Sequence, residues 1–147
     1  MYPHRPLVGV AGVVWDGHRL VLVRRDRPPA EGVWSIPGGL VEIGETAEEA
    51  LIREIWEECG LRITVGPILM LFQPIERDED RRVRYHFVVI DFLANYASGE
   101  LRSGDDAREA RWVSPDELPA FDLLPATRSV IEIALGRISK AEDSATA

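Results

Sequence analysis

The chain has 147 residues, 46% of them hydrophobic and 29% charged, with a formal net charge of −8. That length suits one domain with a single good core, and the composition is that of a soluble globular protein. The acidic balance argues against a surface built to hold nucleic acid, which needs a basic patch, but it leaves room for a local cationic or metal-filled site.

Lys140 is the only lysine, so the basic residues are almost all arginine. Arginine suits phosphate recognition, but composition bias is the better explanation of the pattern. Cys59 is the only cysteine, which rules out an intrachain disulfide and gives no sign of an oxidising compartment. The apolar run LVGVAGVVW is too short to span a bilayer, and the DGHR after it lacks a cleavage pattern. The expectation is a cytoplasmic protein with no membrane partner.

In chain order, residues 7–15 and 19–24 are β-rich runs joined by a DGH turn signal, which predicts a hairpin. RDRPPAEG reads as a polar loop, and WSIPGG as a short strand entering a glycine pair, with LVEIGE as a further short strand and turn. Thr46 followed by Glu49 forms a capping-box pattern, so a helix should run from Ala47 to Cys59 and stop at Gly60. Strands are predicted over 63–75, broken near Gly66 and Pro67, and over 83–93, with ERDEDRR as an exposed hairpin loop between them. A short strand should end near Val113, SPDEL should open a helical turn, and 126–138 should form an amphipathic helix. One domain over 1–139 with a flexible tail over 140–147 is the expected organisation. Strands, helix, strands, helix is the order of a mixed α/β (α+β) fold, a mixed sheet flanked by helices.

The predicted helix carries an oddity. Glu54, Glu57 and Glu58 share one face at its C-terminal end, where the helix dipole disfavours acids. Leu51, Ile52, Ile55, Trp56 and Cys59 form an adjoining apolar stripe, and the small Ala47 and Ala50 flank the acids. A solvated acidic face is the ordinary reading of such charges. Clustered carboxylates are also a natural seat for a hard divalent cation such as Mg²⁺, which takes a few carboxylates and shares phosphate oxygens with a substrate.

From Gly39 the chain reads GLVEIGETAEEALIREIWEECGL. This fits G-x5-E-x7-R-E-U-x-E-E-x-G-U, with U a bulky apolar residue, at Gly39, Glu45, Arg53, Glu54, Ile55, Glu57, Glu58, Gly60 and Leu61. The pattern resembles the signature of the Nudix hydrolases. The resemblance implies an α/β/α sandwich and Mg²⁺-dependent hydrolysis of a diphosphate linkage, with Mn²⁺ able to substitute. The implied substrate is a nucleoside diphosphate derivative, either an ADP-ribose-like compound or a nucleoside triphosphate. An alternative within the same family is a nucleotide-sensing or interaction module that does not hydrolyse its ligand.

The resemblance also implies roles. Glu54, Glu57 and Glu58 would hold metal, joined by the Gly38 carbonyl, while Gly39 lets backbone approach phosphate closely. Arg53 is expected to pair with a box carboxylate, and Glu45 to anchor the loop–helix junction. The general base is expected to be Asp105 or Asp106, in the loop before Trp112, or else Glu57. Arg24, Arg25 and Arg27 are candidates for substrate phosphates or ribose, and Tyr2, Phe72 and Tyr85 for stacking on a base. A homodimer is expected by analogy.

Overall fold

The computed structural model describes residues 2–25, 32–104 and 107–146. Its elements are β1 (Leu7–Trp15), β2 (Leu20–Arg25), β3 (Trp34–Ser35), β4 (Gly38–Leu40), α1 (Ala47–Cys59), β5 (Leu61–Phe72), β6 (Ile75–Arg77), β7 (Val83–Gly99), β8 (Ala107–Val113), a 3-10 helix (Pro115–Ala120) and α2 (Pro125–Thr146).

The strands form a mixed sheet in the order β3-β2-β1-β7-β5, with β8 against β2, β4 against β1 and β6 against β7. The predicted hairpin exists only at its base. Asp16 Oδ1 accepts the backbone N–H groups of His18 and Arg19 at 2.8 and 2.6 Å, closing the turn. Beyond the pair Trp15 and Leu20 the two strands diverge. β1 then runs parallel to β7 from Leu7 to Trp15, and β2 runs antiparallel to β8.

Alternation along each strand sends side chains to two cores. Val21 and Val23 join Val10, Val14, Phe92 and Ala94 on one face, against Leu51, Ile55 and Cys59 of α1. Leu20 and Leu22 join Val13, Leu93 and Val113 on the other, against Val130, Ile131 and Ala134 of α2. A sheet buried on both faces between two helices is the α/β/α sandwich the sequence implies.

Three element boundaries differ from the sequence reading. β5 is not broken at Gly66 and Pro67; its register with β7 shifts between Val65 and Ile68, so both residues sit in a bulge where a missing N–H is tolerated. β7 runs past residue 93 to Gly99 because β1, β5 and β6 all pair with it along its length. The tail expected over 140–147 is helical through Thr146. Ser139, Lys140, Ala141 and Glu142 extend α2 on local preference while remaining exposed. Among the described residues no helix is long and apolar enough to cross a membrane.

Candidate active site

Helix α1 has the predicted ends. Thr46 Oγ1 accepts the Glu49 N–H at 3.1 Å and Glu49 Oε1 accepts the Thr46 N–H at 3.0 Å. Gly60 ends the helix in the left-handed region at φ 72°, where a side chain would be strained. The apolar stripe is narrower than the sequence suggests. Ala50, Leu51, Ile55 and Cys59 are buried, whereas Ile52 and Trp56 stay partly exposed and the Arg62 guanidinium covers the Trp56 ring at 3.8 Å.

The surprise is Glu58, which is only 6% exposed and belongs to the buried edge of the helix. Its Oε2 accepts the N–H of Gly38 across the fold at 3.2 Å. Glu54 is largely covered and Glu57 largely exposed, with side chains 19% and 57% accessible. All three line one cleft of about 310 Å³, together with Gly38, Gly39, Leu40 and Arg25.

Strand β4 brings the glycine pair to this cleft by pairing with β1, Gly38 opposite Ala11 and Gly39 opposite Val10. No room exists for side chains there. A Cβ on residue 38 would stand 2.7 Å from the Ala11 Cα, and one on residue 39 would collide with the Glu54 carboxylate. The glycines therefore let the backbone lie directly against the acids.

Arg53 organises the rest. Its Nε and Nη2 donate to the two Glu45 oxygens at 2.7 and 2.9 Å, a bidentate pair. Nη2 also donates to the Leu40 carbonyl at 2.9 Å, and Nη1 donates to Glu54 at 2.8 Å and Glu57 at 3.3 Å. One guanidinium thus ties the β4–α1 loop to two of the three clustered acids. Its hydrogen bond holds the Glu45 carboxyl down at about 2, and the acids push the Arg53 pKa up. Arg53 and Glu45 therefore meet as the sequence anticipates: Arg53 pairs with carboxylates, and Glu45 pins the junction by accepting the Glu42 N–H at 2.9 Å as well.

The dipole end has a second compensation that the sequence reading missed. Arg102 donates its backbone N–H to the Cys59 carbonyl at 2.9 Å and carries its positive charge to the last turn of α1. No local signal marks it, because it arrives from a segment distant in sequence.

The donor set suits a hard divalent ion: carboxylate oxygens and the backbone of a glycine pair lining one cleft. As placed, Glu54 and Glu57 turn to Arg53 and Glu58 to the Gly38 N–H. Among the described residues no three acidic, histidine or cysteine side chains converge on one point.

Other candidates separate. Arg25 lines the cleft, but Arg24 does not. Arg24 pairs with Glu109 at 3.1 Å and lies over the Trp34 ring in a different groove. The register of β2 with β8 shifts between Arg24 and Arg25, and it is at this irregularity that the two neighbours part company. Tyr2 donates its hydroxyl to Asp78, and Tyr85 stacks on Phe87. Arg27, Asp105 and Asp106 lie outside the described residues. The chain leading to the two aspartates does approach the site: a Cβ on Gly104 would stand 2.8 Å from the Glu58 Cα.

A second cleft, of about 470 Å³, opens on the α2 face of the sheet, and Arg25 lines both. Its walls include Ala11, Ile36, Phe72, Val89 and Val130, and Asp91 is the one acid among its described lining residues. Asp91 is 5% exposed, and burial alone pushes its carboxyl up to about 6. The sequence did carry a signal for it, a single acid inside the apolar strand run HFVVIDFLANY.

Fold and cleft define a class: an α/β/α sandwich in which one loop–helix unit brings three acidic side chains to a cleft beside a glycine pair. Residues 4–132 match the NUDIX domain family, so the chain belongs to the Nudix hydrolases. It is 40% identical over 124 residues to an ADP-ribose pyrophosphatase of Methanocaldococcus jannaschii, covering 83% of this chain and 70% of that one. It is 33% identical over 113 residues to the nucleoside triphosphatase NudI of Escherichia coli, covering 74% and 80%. Among solved structures, a MutT NUDIX hydrolase from Burkholderia pseudomallei superposes with a TM-score of 0.75 at 32% identity, covering 88% of this chain and 98% of the other.

Proposed function

We propose that this Nudix hydrolase uses Mg²⁺ to cleave the diphosphate linkage of a nucleoside diphosphate derivative, with ADP-ribose-like compounds ahead of nucleoside triphosphates. The observation that carries this reading is the pair of clefts joined at Arg25: an acid-lined one sized for phosphates and an apolar one sized for an organic ring. The archaeal relative's activity on ADP-ribose supports the order of preference.

In this reading Glu54, Glu57 and Glu58, with the Gly38 carbonyl, hold the ion, and Mn²⁺ substitutes for it. A bound divalent ion neutralises phosphoryl charge and makes water more acidic. Arg53 fixes the directions of Glu54 and Glu57, the Gly39 backbone leaves space for a phosphate, and Arg25 faces the negative diphosphate. Asp105 or Asp106 takes the proton of the attacking water, with Glu57 as the rival base. Water adds to one phosphorus, the bridging oxygen leaves, and ADP-ribose yields AMP and ribose 5-phosphate. The same reading places the enzyme in the cytoplasm, acting as a homodimer on a small nucleotide rather than on nucleic acid.

The test is a panel of ADP-ribose and nucleoside triphosphates, each with Mg²⁺ and with EDTA, with products separated chromatographically. Metal-dependent release of AMP from ADP-ribose is the expected result, reduced at least about a hundredfold in Glu57→Gln or Glu58→Gln, equivalent to about 2.7 kcal/mol of barrier. Tight ADP-ribose binding with no turnover under any metal would instead favour the sensing module.

A further inference from the structure

Asp91 has no part in the chemistry described so far. It sits on β7 opposite Ala11 of β1, on the α2 face between Val89 and Leu93, where the strand's alternation calls for another apolar side chain. Among the described residues no hydrogen bond or ion pair reaches its carboxyl group, and it is 95% buried by the complement of its 5% exposure. Its oxygens are not among the fully buried polar atoms that lack a partner, so the carboxyl opens onto the cavity, where a ligand could supply the hydrogen bonds its apolar neighbours do not. The cavity it lines supplies room for one.

The cavity's walls sharpen the chemistry. β1, β5 and α2 contribute Ala11, Phe72 and Val130, none of them titratable. Ser35 and Thr127 add hydroxyl groups, and Arg25 is the only other charged residue among the described lining. A flat ring seated between Phe72 and Val130 would remove the remaining water from Asp91, which favours the neutral acid further. A neutral carboxylic acid offers one O–H donor beside one C=O acceptor, whereas a carboxylate offers acceptors only.

We propose that Asp91 is a specificity-determining residue that reads the substrate's nucleobase, pairing with an amino donor beside a ring-nitrogen acceptor as adenine presents them. The proposal rests on the reading of the acid cleft as a nucleotide hydrolase site and names what the neighbouring cleft selects. Adenine's N6–H donates to the Asp91 C=O, and the Asp91 O–H donates to a ring nitrogen. Guanine, which places two N–H donors side by side, would instead suit the ionised form.

The experiment uses nucleosides without phosphates, so the acid cleft is not engaged. Adenosine, purine riboside (which lacks the amino group) and guanosine are titrated by NMR into the metal-free protein and into Asp91→Asn and Asp91→Leu, between pH 5.5 and 8. Wild type should favour adenosine over purine riboside by about three- to tenfold, the worth of one neutral hydrogen bond. Its adenosine affinity should fall as pH rises and the donor is lost. Asp91→Asn keeps a donor and an acceptor at every pH, so it should retain the preference and lose the pH dependence. Asp91→Leu should abolish the preference while its dichroism spectrum stays that of wild type. Equal preference in all three proteins, an adenosine preference over guanosine that grows with pH, or no adenosine binding by wild type would each overturn the assignment. Nucleotide hydrolysis with unchanged base preference in Asp91→Leu removes this proposal alone, whereas absence of any metal-dependent hydrolysis removes the reading of the acid cleft.

Discussion

The Arg53 guanidinium grips both carboxylate oxygens of Glu45, at 2.7 and 2.9 Å, and so locks the β4–α1 loop to the helix that carries the clustered acids. The pair has a definite pH signature. The Glu45 pKa is held near 2 in the folded protein against an ordinary 4.5. A depressed folded pKa adds stability that is fully present above the unfolded value and disappears as pH falls toward the folded one. Glu45→Gln should therefore melt below wild type at pH 6, and the gap should close between pH 4.5 and 2. Melting curves across that range check it; a gap that is constant with pH would show that Glu45 acts through packing alone. Arg53→Lys cannot reproduce the two-pronged grip and should lower kcat as well as the melting temperature.

The glycine pair separates fold from function. A Cβ at residue 38 meets the backbone of β1, which cannot yield without moving the sheet. Gly38→Ala should destabilise by about 1–3 kcal/mol, the usual range for overpacking. At residue 39 the obstacle is the movable end of Glu54. Gly39→Ala should fold nearly as well as wild type but displace that carboxylate and lose most turnover. Denaturant unfolding and kcat, measured on both variants, distinguish the two; equal stability loss with equal activity loss would contradict the contrast.

A general base acts in the transition state, so its removal should appear in kcat more than in KM. Asp105→Asn or Asp106→Asn should reduce kcat with KM little changed. Losses under about threefold in both would pass the role to Glu57, whose carboxylate is the most exposed of the three.

What the sequence made legible was local. The extent of α1, its capping box, its glycine stop and the shared face of its acids follow from spacing and short-range chemistry, and all appear in the structure. What it did not show depends on strand pairing between distant segments. The parallel alignment of β1 with β7 is invisible to a hairpin signal, and it is this alignment that sets Asp91 beside Ala11 in the second cleft. Arg24 and Arg25 looked equivalent until β2 was seen to pair with β3 and β8, leaving only Arg25 at the site. The burial of Glu58 likewise needed β4 to deliver the Gly38 N–H.

The central claim is that the acids of α1 are gathered to bind a divalent ion, and Glu58 tests it most directly because it is buried with a negative charge at the unfavourable helix end. Four melting curves suffice: wild type and Glu58→Gln, each in EDTA and in millimolar Mg²⁺. An ion that binds only the folded arrangement raises wild-type stability by RT ln(1 + [L]/Kd). Glu58→Gln keeps an oxygen for the Gly38 N–H and sheds a charge from the cluster, so it should melt no lower than wild type in EDTA and lose most of the Mg²⁺-induced rise. A variant that is clearly destabilised in EDTA and still gains as much from Mg²⁺ as wild type would make Glu58 a structural residue and contradict the account.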